Sequence, residues 1–558
     1  MIKIKIAALI AKLEKNAAEI ARETKINRNT IMSLTKGQIA GLKFPTLNKL
    51  CATYGWKIED ILEFVPDQSK NKPTGGGEVY RQEGEGTLYF MWPGILSCNS
   101  FNSQYFKNSY QLIDFYFQKD YFWAYFYKDQ LFTLAEEIYR DYKRPEKIQA
   151  LYQSYLAASL KIINLFQTTT AEQITALNNQ ALKNLAQEIS DAHFSDWSFS
   201  VSIDAFDAGF DQLEIKKISD RYKLSTEEIY TLITPTELTF NNEKKLDLMK
   251  IANNLQHQTK RQIKAALQSS PLGTEHIKKF SYYKSNYARY NPLTREEVIA
   301  EIMSYRPASQ SFRQEYHHLE NYGADQEKAI TKILKKYHWT ANPLFFFQKL
   351  TYMREYRKMM NLMYFVLADH VLSALETRTG IAKKYLKYLN TEEIAAVLAG
   401  SIGLNQLAER REEGIIAAVR PDGYKIFIGA QAQSLRNEWE QKLSHKKNQT
   451  DIIYGQVASQ GYVRGRAKII LGEDDFKKFT EGEILVSGMT RPEFLPLMKK
   501  AAGIVTNEGG ITCHAAIVSR ELNKPCIIGT KIATQLIHDN DLIEVRANHG
   551  TVRIIKRA

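Results

Sequence analysis

Apolar positions recur at helical spacing near the start of the chain. In NAAEIARETKINRNTIMSLTKG (residues 16–37), Ala17, Ile20 and Ala21 share one face behind Asn16, and Ile31 and Leu34 share one behind Asn27. Two short helices joined by a tight turn are predicted, with further helices over 47–54 and 58–64. A polar stretch follows, DQSKNKPTGGGE (67–78), which reads as a flexible linker. From 79 to 445 the pattern is mainly helical. Glutamate stands three residues after Ser225, Thr294 and Asn390, the mark of a capping box, and helices are expected from Thr170 and over 351–378. One exception is YFKNSYQLIDFYFQKDYFWAYFY (105–127), two aromatic runs around Gln118-Lys119-Asp120. It reads as a hairpin whose rings enter a core, with stacking on bases or a ligand as the alternative.

After residue 452 the period shortens to β-branched runs punctuated by glycine. Strands are expected over 455–470 (broken near Gly461 and Gly465), 483–487, 503–506, 526–529 and 542–545, with a last hairpin at Asn548-His549-Gly550. Helices are expected over 492–501 and near 513–522. The whole is a multidomain α+β chain: an all-α head (1–66), a linker (67–78), a mainly helical middle (79–445) and a C-terminal β/β/α domain (446–558).

Composition adds little. No run approaches 18 apolar residues, and the four cysteines are dispersed, which suits a cytoplasmic protein with neither a membrane span nor a disulfide framework. The net charge of +13 suits a polyanionic partner. Within 1–66, 11 Lys and Arg face 6 Asp and Glu, so the head is basic for its size.

The head resembles the Cro/repressor type of helix-turn-helix, and LNKLCATYGWKIEDILEFVPD resembles the closing helices of its small bacterial members. That resemblance implies duplex DNA as partner, with the helix over 27–36 in the major groove. Arg28, Asn29, Thr30 and Ser33 would point outward and Lys36 would hold phosphate. A homodimer on paired half-sites would follow; a helical protein-interaction module is the other reading.

The densest chemistry lies in EGGITCHAAIVSREL (508–522). Gly509 and Gly510 let the backbone turn close to a bulky anion, Thr512 is placed to cap the following helix, and His514 stands at that helix's positive end. There the imidazole stays a neutral nucleophile and a phosphorylated product is favoured. No cysteine or carboxylate has metal-ligand spacing to it, so no metal site is expected. In the middle, Arg354 and Arg357 share a helix face and are able to clamp a phosphate or carboxylate; pairing on a solvated face with Glu355 or Asp369 is the blander reading.

GGITCHAAIVSRELNKPCIIGT resembles the phosphohistidine (mobile, swivelling) domain of the PEP-utilising enzymes, which include phosphoenolpyruvate synthase, pyruvate phosphate dikinase and rifampicin phosphotransferase. The likeness extends through VASQGYVRGRAKII, EGEILVSGMTRPEFLPLMKKAAGIVTNEGG and NDLIEVRANHGTVRII. It implies that His514 accepts a phosphoryl group and passes it on, with Thr512, Gly509 and Gly510 shaping the pocket and Cys513 packing. Asn540 departs from the usual glycine but tolerates a left-handed backbone. YFVLADHVLSALETRTGIAKKYLKYLNTEEI and AVRPDGYKIFIGAQAQSL are similar to helical regions that precede this domain in shorter members.

Neither GxxxxGK[ST] nor a strand-borne GxGxxG occurs, no ATP-grasp domain is recognisable, and a barrel handling phosphoenolpyruvate would need chain beyond residue 558. The donor implied is ATP or phosphoenolpyruvate with Mg²⁺, and the other sites would lie in the middle or on a partner protein. Two functions stay open. One is a phosphotransferase-class carrier coupled to a DNA-binding head with regulatory output. The other is an inactive transcriptional regulator whose enzyme-like body only senses a ligand or survives as structure.

Overall fold

The computed structural model describes residues 2–4, 13, 15–35, 44–56, 62–64, 78–100, 103–269, 271–444, 451–510 and 513–558. It divides into two compact units, Met1–Gly76 and Gly77–Ala558.

In the first unit, helices Ala17–Thr24, Arg28–Thr35 and Phe44–Tyr54 close around Ile20, Ile31, Leu34 and Leu50. Asn16 caps the first as its spacing predicts: its Oδ1 accepts from the Glu19 N–H at 3.1 Å while the Glu19 carboxylate accepts from the Asn16 N–H at 2.8 Å. Lys25, left-handed at φ 52°, turns the chain into the second helix. The helix expected over 58–64 is corrected at its end. Leu62–Phe64 (β2) is a strand, paired antiparallel with Ile2–Ile4 (β1), whose Ile-Lys-Ile alternation has the strand period of two. Residues 57–61, Lys36 and most of the 67–78 segment lie outside the described residues.

The second unit holds two sheets. Strands Val79–Glu85 (β3), Ile113–Gln118 (β4), Tyr121–Tyr127 (β5), Ile415–Arg420 (β6) and Gly423–Ile428 (β7) form an antiparallel sheet in the order β3-β5-β4-β6-β7. Lys119 and Asp120, at φ 50° and 63°, make the β4–β5 turn. Alternation sorts the rings: Phe115, Phe117, Phe122 and Phe126 enter the main core, whereas Tyr116, Tyr125 and Tyr127 pack with Trp439 on the other face. AVRPDGYKIFIGAQAQSL is not helical throughout, contrary to its likeness. Pro421-Asp422-Gly423 turns β6 into β7, with Gly423 at φ 129°, before the helix Gly429–Ser444.

Helices pack on this sheet. Capping boxes form at Ser225, Thr294 and Asn390 and at Thr170, where the expected helices begin. The helix from Thr170 is short, ending at Ala176, because Asn178 caps a new one, Asn179–Ser200. The expected helix over 351–378 is the central part of Phe345–Thr379, which Gly380 stops at φ 68°. Among the described residues no helix is long and apolar enough to cross a membrane.

The C-terminal sheet has eight strands: Ile452–Tyr454 (β8), Gln456–Ser459 (β9), Tyr462–Ile469 (β10), Ile484–Ser487 (β11), Gly503–Thr506 (β12), Cys526–Ile528 (β13), Leu542–Arg546 (β14) and Thr551–Lys556 (β15). Their order is β8-β15-β14-β10-β11-β12-β13-β9, with β10 to β13 parallel. Gly461 breaks the chain before β10 at φ 139°, but Gly465 does not; it pairs with Ile543 inside β10. Asn540 takes the left-handed φ of 70° that its place in the turn requires.

Candidate functional site

The carboxyl ends of neighbouring parallel strands are where an open sheet presents its loops to a ligand. β11 runs into residues 488–491 and β12 into residues 507–510, so Thr490 and Arg491 meet Glu508, Gly509 and Gly510 at one edge. The helix His514–Glu521 starts there with His514 as its first residue. Its N-cap is Cys513, whose side chain makes no capping bond. Thr512, the cap expected from sequence, lies outside the described residues.

Gly509 has φ 118°, a conformation side chains rarely adopt, and a Cβ built on it would stand 2.6 Å from Cys513 Sγ. Its replacement by alanine is therefore expected to place about 1–3 kcal/mol of strain on the loop. A lower melting temperature should result, only partly restored by adding Cys513→Ala, because that removes the sulfur and leaves the backbone strain. Full restoration would show that φ is immaterial there. Gly510, by contrast, has room; its nearest neighbours, Asp211 Oδ2 and Gln212 Nε2, lie 3.8 Å from such a Cβ. Cys513 packs in the C-terminal core, and burial pushes its thiol up, which suits packing better than nucleophilic chemistry.

His514 opens on a cavity of about 260 Å³ between the C-terminal sheet and the helical middle. Its Nδ1 lies 2.9 Å from Thr490 Oγ1, which leaves Nε2 as the nitrogen available to react. Burial, and then the nearby Lys358 ammonium, hold its pKa well below the ordinary imidazole value, so the ring is neutral at pH 7. The long helix supplies the opposing wall. Arg354, Arg357 and Lys358 all line the cavity, at the i, i+3 and i+4 positions of one helix face. The expected pairing on a solvated face is corrected: Arg354 bonds Asp211 at 3.3 Å, Arg357 bonds Asp204 at 2.6 Å, and Asp369 instead pairs with Lys383. The helix is packed on both sides here, so the arginines find acids on the neighbouring segment rather than on their own turn.

The two halves are tied along β3. Tyr80 donates to Glu508 at 2.7 Å, and Glu83 accepts from Asn507 Nδ2 at 3.2 Å and from Thr534 Oγ1 at 3.3 Å while pairing with Arg81 at 2.8 Å. Burial raises the Glu83 pKa above the ordinary value. Arg491, buried, donates to the Glu85 carbonyl at 3.3 Å and lies 5.1 Å from the Tyr287 ring centroid.

Sequence reasoning missed Lys358, Thr490 and Arg491. Lys358 was visible as the i+4 partner of Arg354, and Thr490-Arg491 sits in SGMTRPEF directly after a predicted strand. In the head, Arg28 is exposed on the second helix and Thr30 is half-buried on it. Asn29 and Ser33 belong to the same helix, though their side chains lie outside the described set, as does all of Lys36.

Residues 479–550 match the family model of the PEP-utilising enzyme mobile domain, and residues 5–67 match that of the Cro/C1-type HTH DNA-binding domain. The chain therefore joins these two domains. A protein of Archaeoglobus fulgidus named as a probable phosphoenolpyruvate synthase is 44% identical over 137 residues, 24% of this chain and 18% of that protein. The phosphoenolpyruvate synthase of Pyrococcus furiosus is 48% identical over 101 residues, 18% and 12% respectively. An uncharacterised phosphotransferase of Bacillus subtilis is 30% identical over 177 residues, 31% and 21%. The matched part of this chain spans at most 21% of these three relatives' own lengths.

Proposed function

We propose that this chain carries a phosphoryl group on His514 and couples that state to DNA binding by its head. The observation that carries the reading is a neutral histidine, anchored at Nδ1, sharing a cavity with the cations of the long helix. For Nε2 to attack phosphorus, Nδ1 carries the ring proton and donates to Thr490. The Nε2 lone pair then forms the N–P bond as the donor's bridging P–O bond breaks, its electrons leaving with that oxygen. Lys358 and Arg491 oppose the charge gathering on the transferred group, and their charge needs no reorganisation at that moment. Return of the electron pair to Nε2 releases the phosphoryl group to an acceptor oxygen.

The donor class is ATP or phosphoenolpyruvate, by analogy with the relatives' names. Mg²⁺ typically accompanies such chemistry, but the residues around this cavity do not fit a resident ion. Asp204 and Glu508 are neutralised by Arg357 and Lys531, and among the described residues no three metal-ligating side chains cluster. No step is assigned to it. Phosphohistidine adds roughly −1.5 to −2 charges, by analogy with other phosphorylated side chains, enough to change which surfaces the carrier domain engages. With a Cro/C1-type head on the same chain, the output we infer is transcriptional and cytoplasmic, read out by a dimer on duplex DNA.

The test is labelling. Purified protein is incubated with Mg²⁺ and γ-labelled ATP, β-labelled ATP or labelled phosphoenolpyruvate. An acid-labile, alkali-stable protein phosphate is expected from one donor, whose identity locates the missing step. No label from any of the three, alone or with cell extract, would leave the inactive-regulator reading.

A further inference from the structure

Phosphoryl chemistry accounts for only part of the lining of the His514 cavity. Arg354 is held there by Asp211 and Arg357 by Asp204, and Lys358 feels the carboxylates of Glu355 and Glu493. Together with Arg491 they put four cationic side chains around one cavity beside His514, a lining that suits an anionic group. The rest of the lining is of another kind. Phe115, Phe122 and Phe126 reach the cavity from β4 and β5, beside Met91 and Trp197. Inorganic phosphate, or a molecule charged at both ends, covers none of that surface and leaves it against trapped water.

We propose that the cavity binds an aryl or alkyl phosphate, its phosphate against Lys358 and Arg491 and its apolar body against Phe115, Phe122 and Phe126. This deepens the carrier reading, on whose cavity it rests, by naming the small-molecule partner as an amphiphile whose oxygen exchanges a phosphoryl group with His514. The mixed lining is the basis of selectivity: the cations supply affinity for any phosphate, and the rings discriminate by what the phosphate carries.

Calorimetric titration of the full chain tests it, with phenyl phosphate, inorganic phosphate, phosphoenolpyruvate and phenol as probes. Phenyl phosphate is expected to bind about tenfold or more tighter than inorganic phosphate or phosphoenolpyruvate, from burial of the ring. Lys358→Met should weaken both aryl and inorganic phosphate by about tenfold or more, as removal of a charge-assisted hydrogen bond predicts. Phe122→Leu, close in volume, should narrow the gap between them while sparing inorganic phosphate; a melting curve confirms that it is folded. Equal affinity for phenyl phosphate and inorganic phosphate overturns the proposal, as does indifference to Lys358→Met. Failure is separable from that of the carrier reading: label on His514 without aryl preference sinks this inference alone, and aryl preference without label from any donor sinks only the carrier.

Discussion

With His514 replaced by alanine, the protein is expected to take up no acid-labile phosphate from any donor while remaining folded. Among the described residues the side chain makes one hydrogen bond, to Thr490, worth about 0.5–1.5 kcal/mol, and it borders a cavity that already exists, so its removal opens no new void in a core. A large fall in melting temperature would make His514 a structural residue instead. The pH dependence separates the two roles further. The unfolded ring gains its proton near pH 6.5, the folded ring only well below it, because burial and Lys358 disfavour the imidazolium. Between those two values the unfolded chain binds more protons, so this group makes stability rise with pH there and contributes no slope above about 7. The alanine variant lacks that contribution. Its melting temperature should therefore gain on that of the native protein as pH falls from 7 to 5, and the gap should be constant above 7. Lys358→Met carries the electrostatic half of the same argument. Without the like charge, the His514 ring titrates at higher pH in an imidazole C–H resonance, and labelling slows by about 10²–10³, the usual cost of one preorganised charge on a transferring group. Unchanged labelling in Lys358→Met would remove this helix from the site.

The features whose signals are local were the most legible. A cap three residues before a glutamate, a glycine at a helix end and a β-branched run between glycines each act within one turn, and Ser225, Thr294, Gly380 and Gly461 behave accordingly. What the pattern does not carry is pairing across distance. β4 lies against β6, with Ile113 opposite Val419, and β1 lies against β2 across the whole first unit. Each strand alone is too short, or too like its helical surroundings, to announce a partner some 300 or 60 residues away. The site divides along the same line. His514 stood out because glycines, a cap position and a helix start concentrate the chemistry in seven residues. Lys358 and Thr490 acquire a role only when the C-terminal sheet meets the long helix. The acids that hold Arg354 and Arg357 lie over 140 residues upstream, and no spacing rule reaches them.

Reversing the charge of Arg28 and Lys36 to glutamate is expected to abolish binding of the full chain to duplex DNA. Arg28 is exposed at the first turn of the second helix, whose inward face is fixed by Ile31 and Leu34, both fully buried. That packing leaves the helix no freedom to rotate Arg28 inward, so its guanidinium is presented to whatever the outward face meets. In a major groove it is able to read a guanine edge bidentately, worth about 1–3 kcal/mol of discrimination, while a lysine on phosphate adds affinity without sequence preference. For every phosphate no longer neutralised, the slope of log K against log salt should become shallower by about 0.9. The double reversal removes two favourable interactions and adds repulsion, so fluorescence anisotropy with random duplex should show a fall of at least about 100-fold at low salt and a slope shallower by about two. Arg28→Ala alone should instead narrow the preference for a selected operator over random duplex. Binding by the double variant as tight and as salt-sensitive as the native protein's would show that the +13 chain meets DNA through another surface, and the head would then be an interaction module. If the head does bind as argued, the same assay run with His514-phosphorylated and unphosphorylated chain measures the coupling between the two domains directly. Equal operator affinity in both states would leave a carrier and a DNA-binding domain that share a chain and nothing more.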